Sequence, residues 1–314
     1  MILNMLLNVG LLVLGFFLLV KGADWFVEGA SKLAEKFGIP QIVIGLTIVA
    51  MGTSLPEAAV SIASAAKGSA DIAIGNVLGS NIMNVLLILG ITALICEIPV
   101  KPQTIRFEIP FVIAVTVLLF VIGYFDGTVG RAEGFLLWVC FIGYLIYLRW
   151  RTKMGDELDE APGSDKELPL WRMLLLILIG AGMIVLGSDL AVDGATGIAR
   201  NLGVSERVIG LTVVAFGTSL PELVTSCTAA RKKKTDIAIG NIVGSNIFNI
   251  LFVIGTTGLI TPVVYQQSFL MDSIAAIITV VLLFLLLLPR KRLTRLGGVA
   301  MLATYAVYFV MLLV

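Results

Sequence analysis

Two glutamates, Glu57 and Glu222, close identical strings, GTSLPE at 52–57 and again at 217–222. Each lies in a segment apolar enough for lipid, where an ionised side chain costs about 2.5 to 3.5 kcal/mol on insertion scales. A chain that accepts this penalty twice is built to handle ions. Within each string a glycine and a proline weaken the helix. Pro56 has no N–H and clashes with the preceding turn, which predicts carbonyls near Gly52 and Thr53 without helical partners and open to a cation. Such groups survive at membrane depth only when buried in protein or lining a wet cavity. Ala50, Thr53, Ser54 and Glu57 fall at i, i+3, i+4 and i+7, one face of a helix, as do Ala215, Thr218, Ser219 and Glu222. Further along, Asn76, Ser80 and Asn84 make a polar stripe spaced by four, and Asn241, Ser245 and Asn249 repeat it. Small residues at Gly75, Gly79, Gly240 and Gly244 favour close helix approach, which would carry these stripes to the glutamates. Carboxylate, hydroxyl and amide oxygens form a set suited to hard cations such as Ca2+ and Na+ rather than to zinc or copper. Asn81 and Asn246 lie off the stripe and are expected to bond the broken neighbouring helix.

These residues sit in a duplicated framework. VIGLTIVAMGTSLPE at 43–57 returns as VIGLTVVAFGTSLPE at 208–222, and DIAIGNVLGSNIMN at 71–84 as DIAIGNIVGSNIFN at 236–249, both displaced by 165 residues. With 58% hydrophobic and 14% charged residues and a mean hydropathy of +1.03, the chain has more apolar surface than a soluble domain of 314 residues buries. The lipid bilayer is its solvent. Apolar windows long enough to cross it fall at 2–20, 39–66, 71–95, 107–124, 133–149, 172–192, 205–229, 236–260, 272–289 and 296–314. The expectation is an all-α polytopic membrane protein of ten transmembrane helices. The first window lacks the basic start of a signal peptide and has an internal counterpart at 172–192, so it reads as a span.

Basic residues cluster after odd-numbered spans, as at Lys101, Arg106, Arg149 to Lys153, Arg231 to Lys234 and Arg290 to Arg295, against Lys67, Arg131, Arg200 and Arg207 on the other side. The positive-inside rule then makes the odd loops cytoplasmic and places both termini outside. Five spans per copy force the second copy to enter from the opposite face, giving two inverted five-helix repeats, an architecture of secondary transporters with a site at the bilayer midplane. The expected organisation is a first repeat at 1–151, a cytoplasmic linker at 152–170 and a second repeat at 171–314. The runs RKKK and RKRLTR read as topology signals, and a net charge of +1 gives no reason to expect nucleic acid. No protein partner and no cofactor are implied. Asp24 and Glu28, mirrored by Asp189 and Asp193, are expected in interfacial or capping roles rather than on an ion path.

An enzyme would need a nucleophile with a base or a metal triad. The chain has no histidine, its serines lack a base, and Cys96, Cys140 and Cys227 have no metal-ligand spacing. Any proton coupling would therefore run through the acids. A passive channel is the other class, but two inverted half-sites that meet once fit it poorly.

At these motifs the chain resembles the calcium/cation antiporter superfamily, most closely the prokaryotic sodium/calcium exchangers. The likeness covers essentially the whole length and both of the family's alpha-repeats. It implies that Glu57 and Glu222 are the central ligands and that Ala50 and Ala215 offer backbone carbonyls. It also implies that Thr53, Ser54, Thr218 and Ser219 flank the sites, and that Ser80, Asn84, Ser245 and Asn249 complete them. It further implies Na+/Ca2+ antiport in a prokaryotic plasma membrane, with spans 1 and 6 sliding to alternate access. One departure stands out: archaeal sodium/calcium exchangers usually carry aspartate where Asn249 stands, whereas Asn84 agrees with their first repeat. Proton/calcium exchange, or exchange of another divalent cation, is the alternative.

Overall fold

The computed structural model describes residues 2–67, 71–153, 168–203 and 215–313. The chain is mostly helical. In order the helices are α1 (Ile2–Phe37), α2 (Gln41–Thr53), α3 (Leu55–Ala66), α4 (Ile72–Ile95), α5 (Thr104–Asp126) and α6 (Arg131–Lys153). The second half has α7 (Leu170–Asn201), α8 (Ala215–Thr218), α9 (Leu220–Arg231), α10 (Thr235–Ile260), α11 (Gln267–Leu287) and α12 (Arg295–Leu313). Among the described residues seven helices are long and apolar enough to cross a membrane, α2 and α3 make an eighth as a bent pair, and α12 is a shorter apolar helix. Most of the expected linker, 154–167, and the segment 204–214 that begins the seventh expected span lie outside the described residues.

Helices α1 and α7, with 36 and 32 residues, run well past the windows 2–20 and 172–192. The apolar run stops at Lys21, Asp24 and Glu28, but nothing there breaks a helix, so charge marked the end of hydropathy and not of the element. At about 1.5 Å per residue α1 is about 54 Å long, more than a hydrocarbon core of about 30 Å needs. The two helices lie along one another, with Gly15 against Gly187 and Gly22 against Gly180, while Gly29 meets Met173 and Gly194 meets Asn8 and Leu12. A Cβ on Gly187 would stand 2.7 Å from Leu19 N, and one on Gly22 2.8 Å from Gly180 O, closer than carbon tolerates. Where hydrocarbon surrounds both helices, such close backbone contact is what holds them together. Towards the Lys-rich end, Lys232 Nζ reaches Asp24 at 3.2 Å and Lys234 Nζ reaches Glu35 at 3.2 Å. Asp24 thus makes an ion pair across elements.

The remaining helices enclose the larger apolar core, with α4 and α10 at its centre: Ile74, Leu78, Ile82, Ile242 and Ile247 are buried there. Two short antiparallel ribbons tie the halves. β1 (Ile98–Pro99) pairs with β4 (Arg292–Leu293), and β2 (Thr128–Val129) pairs with β3 (Val263–Val264). In each ribbon a loop of one copy meets a loop of the other.

Candidate functional site

Ser54 breaks the α2–α3 pair. Its backbone sits at φ −85°, ψ 10°, and the axes on either side differ by 49°. Ser219 adopts nearly the same conformation, φ −90°, ψ 2°, between α8 and α9. The prolines fall in the first turn of α3 and α9, where a missing N–H costs no hydrogen bond. Each glutamate is therefore carried in the first turn of a new helix whose backbone donors face the same way.

Both glutamates are fully buried, and each bonds a serine from the other copy. Ser54 Oγ donates to Glu222 Oε1 at 2.7 Å, and Ser219 Oγ to Glu57 Oε1 at 3.3 Å. Ser245 Oγ lies 3.4 Å from Glu222 Oε1 and 3.4 Å from Ala50 O. The Ala50 carbonyl also accepts Ser54 N–H at 3.0 Å and lies 3.2 Å from Thr53 Oγ1, so here it is well supplied with donors. Thr53 Oγ1 lies 3.0 Å from Asn241 Oδ1. Ser80 is buried at the position equivalent to Ser245. Ala215 opens α8 at the edge of the described residues, and Thr218 is half-buried.

The asparagines divide into three kinds of work. Asn76 Nδ2 donates to Glu57 O at 3.4 Å and Ser61 Oγ at 3.0 Å; Asn241 Nδ2 does the same to Glu222 O at 3.4 Å and Ser226 Oγ at 3.0 Å. This pair ties each glutamate's backbone to the third span of its own copy. Asn81 and Asn246 do not bond the broken helix, as expected from the sequence, but clasp each other across the copies. Asn81 Nδ2 donates to Asn246 O at 3.2 Å and Asn246 Nδ2 to Asn81 O at 3.1 Å. Asn246 Oδ1 accepts in turn from Asn84 Nδ2 at 3.1 Å, and Asn81 Oδ1 from Asn249 Nδ2 at 3.2 Å. With the amide nitrogens held, Asn84 and Asn249 can present only oxygen to whatever lies beyond.

Four buried oxygens here have no protein donor among the described residues: Glu57 Oε2, Glu222 Oε2, Asn84 Oδ1 and Asn249 Oδ1. They form two pairs related by the repeat. An unpaired buried acceptor costs about 1–3 kcal/mol, more when charged, so each of these oxygens favours an electropositive partner. Among the described residues no three His, Cys, Asp or Glu residues gather as a metal cluster. Two carboxylates with amide and hydroxyl oxygens are a set of groups that suits a hard cation.

Sequence reasoning did not anticipate that single π turns begin at both of these asparagines, Asn84–Ile88 and Asn249–Ile254, and that another, Gly45–Val49, precedes the break. Such turns shift the register of everything before them by a fraction of a turn; nothing in residue type announces them. Gly240 and Gly244 lie against α2, where a Cβ on Gly240 would stand 2.9 Å from Ile42 O and one on Gly244 2.6 Å from Leu46 O. The repeat equivalents of Ile42 and Leu46, at 207 and 211, lie outside the described residues. On the other side of the break a cleft of about 460 Å³ is lined by Pro56, Val60, Ser188, Asp189, Asp193 and Thr218. Asp189 and Asp193 line this cleft together with Pro56 and Thr218.

Broken, duplicated helices in a membrane, wrapped around a buried centre of bare oxygens, define the class of polytopic proteins to which secondary transporters belong. The comparisons agree. The chain belongs to the sodium/calcium exchanger family, whose profile, described as Sodium/calcium exchanger protein, matches residues 7–150 and 172–314. It is 39% identical over 310 residues to the putative antiporter CaxA of Alkalimonas amylolytica, covering 94% of this chain and 95% of that one. It is 31% identical to the sodium/calcium exchanger MaX1 of Methanosarcina acetivorans, covering 97% and 98%. Among solved structures it is similar to the sodium-calcium exchanger NCX_Mj soaked with zero Na+ and Ca2+, with a TM-score of 0.85, 36% identity and coverage of 98% and 99%. The chain is accordingly a membrane transporter of the calcium/cation antiporter class and not an enzyme.

Proposed function

We propose that this protein is a Na+/Ca2+ antiporter of a prokaryotic plasma membrane, working by alternating access at one site built from Glu57 and Glu222. The observation that carries the reading is the set of four bare, fully buried oxygens on Glu57, Glu222, Asn84 and Asn249, held in place by neighbours from both copies. Ser54, Ser219 and Ser245 orient the carboxylates; Ala50, Thr53, Thr218, Ser80 and, by equivalence, Ala215 complete the surroundings. Ca2+ and Na+ compete for the same oxygens, so one must leave before the other binds. The empty site holds two carboxylates in a low dielectric, which opposes its crossing unloaded. Coupling follows from those two conditions.

The chain in this reading has ten spans as two inverted halves, 1–151 and 171–314, joined by a cytoplasmic linker, with both termini outside. The crossed ribbons support the inversion, since each joins loops that the alternation assigns to one side. The cleft beside Asp189 and Asp193 is then the outer approach, and the glycine contact of α10 with α2 closes the cytoplasmic side. Neutral amides at both 84 and 249 make proton/calcium exchange the second reading.

The test is 45Ca2+ uptake into proteoliposomes under an outward Na+ gradient, an outward H+ gradient and choline. Uptake driven by Na+ and abolished in both Glu57→Gln and Glu222→Gln is the expected result. Uptake driven only by H+ selects the second reading, and normal flux in both variants would sink the site.

A further inference from the structure

Beside the basic loops, α5 and α11 pack against each other but leave a cleft of about 430 Å³. Its walls are apolar, from Pro102, Ile105, Pro110, Phe284 and Leu288, and two cations, Arg106 and Lys291, line the same opening. Among the described residues the ion pairs go to other bases, and neither of these two holds an acid. A separate cleft of about 500 Å³ has four lysines, but three of them, Lys101, Lys232 and Lys234, already hold Asp236, Asp24 and Glu35.

The duplication provides an internal comparison. Lys291 has a left-handed backbone, φ 49°, and its counterpart in the first copy is Gly127, φ 61°. Their bonds identify them as equivalent. Lys291 N–H donates to Leu287 O and its carbonyl accepts from Val100 N–H at 2.9 Å, just as Gly127 N–H donates to Gly123 O and its carbonyl accepts from Tyr265 N–H at 2.9 Å. Glycine takes this conformation freely and lysine does not. Arg106 lies on a second irregularity, the π turn Thr104–Glu108 that opens α5. The matching stretch of α11, 269–273, is regular α-helix and carries no cation. From Pro99 to Gly127 the first copy holds one residue more than the second does from Val264 to Lys291, and a π turn absorbs such an insertion. Two local departures from regular backbone thus meet at one cleft, and each brings a positive charge to it.

We propose that this cleft binds one anionic phospholipid, its phosphodiester held between Arg106 and Lys291 and an acyl chain laid along Pro110, Phe284 and Leu288. The guanidinium offers a fork of N–H donors suited to phosphate oxygens, and the ammonium adds a point charge. A lipid fits better than a free anion because the apolar wall continues onto Phe107, Leu285 and Leu288, all exposed where hydrocarbon surrounds the helices. Basic pockets between membrane helices recognise head groups of this kind. Since α5 belongs to the first copy and α11 to the second, the bound lipid ties the copies together. Its binding requires only a membrane-spanning chain and holds whichever ions are exchanged.

The test is native mass spectrometry of the purified full chain with added phosphatidylglycerol or phosphatidylcholine, with thermal unfolding measured in the same mixtures. The expected result is one retained phosphatidylglycerol and a melting temperature raised by several degrees, with neither effect from phosphatidylcholine. Equal retention of the two lipids overturns the charge recognition. Arg106→Gln combined with Lys291→Gln should weaken phosphatidylglycerol binding about tenfold or more. Lys36→Gln combined with Arg231→Gln, the same loss of charge among the basic loops, should leave it unchanged. Native binding in the first double variant, or equal loss in both, overturns the site. Inorganic phosphate that raises the melting temperature as phosphatidylglycerol does overturns the lipid as occupant. Lys291→Gly separates binding from folding, because it relieves the left-handed residue. Its melting temperature in phosphatidylcholine should rise while the further rise with phosphatidylglycerol shrinks. A Lys291→Gly protein that keeps the full native rise overturns the part assigned to Lys291.

Discussion

Replacing Asn246 by alanine removes one half of the clasp and leaves the other half in place. In the native protein Asn246 Nδ2 donates to Asn81 O and Asn246 Oδ1 accepts from Asn84 Nδ2, at 3.1 Å in both cases. Asn246→Ala strands that carbonyl and that amide in a buried setting, at about 1–3 kcal/mol each, so stability should fall by about 2–6 kcal/mol. The functional effect is separate. Once its nitrogen is released, Asn84 can rotate and its oxygen no longer faces the site. A polar ligand to a charged group contributes about 1.5–3 kcal/mol, so half-saturation for Ca2+ should rise about tenfold or more. The assay is Ca2+-dependent exchange in proteoliposomes at fixed Na+, with thermal unfolding of the purified protein measured in parallel. Asn81→Ala should act in the same way through Asn249. The double variant should show strong non-additivity, since the two share partners. An Asn246→Ala protein with native half-saturation would refute the idea that the clasp aims the ligand oxygens.

Ser54→Ala removes the 2.7 Å bond to Glu222 and should weaken Ca2+ binding more than Ser219→Ala, whose bond is 3.3 Å; equal effects in titrations would count against the geometry. Gly187→Ala forces a Cβ towards Leu19 N and Gly15 O, an overpacking cost of about 1–3 kcal/mol that should lower the melting temperature by several degrees. Gly182, on the same helix with nothing within 4 Å, should accept alanine without loss and serves as the control. Arg151→Met strands the buried Glu108 carboxylate and should cost about 3–5 kcal/mol in an unfolding measurement, while Glu108→Gln combined with Arg151→Met should recover much of it.

The duplicated strings, the break before each glutamate and the burial of the polar stripes were legible because each depends on residue type. Proline lacks a donor wherever it stands, and a carboxylate in an apolar run has few reasons to be there. The glycine contacts of α10 followed from spacing, but the same spacing in α4 did not give them: a Cβ on Gly79 would meet nothing within 4 Å, and one on Gly75 only the ring of Phe269. The length of α1 was not legible, because hydropathy ends at Lys21 whereas the helix needs only the absence of a breaker. Nor was the partner of Asn81: its place off the polar stripe suggested the broken helix, and the actual partner, Asn246, is set by how the copies cross. The π turns at Asn84 and Asn249 leave no mark in the sequence, since any helical residue adopts them when packing demands it.

The cross-copy bonding also bears on how the protein is made. Ser54, Asn81 and Asn84 find their partners at Glu222, Asn246 and Asn249, and β1 finds its own at Arg292 and Leu293, so each belongs to chain not yet synthesised when the first half is inserted. Until then the nascent half must hold a carboxylate and several amides in hydrocarbon with water, the insertion machinery or its own backbone as substitutes. Maturation therefore depends on the second half arriving promptly. Ribosome stalling between the halves should send this protein to quality control more readily than one whose halves each satisfy their own polar groups.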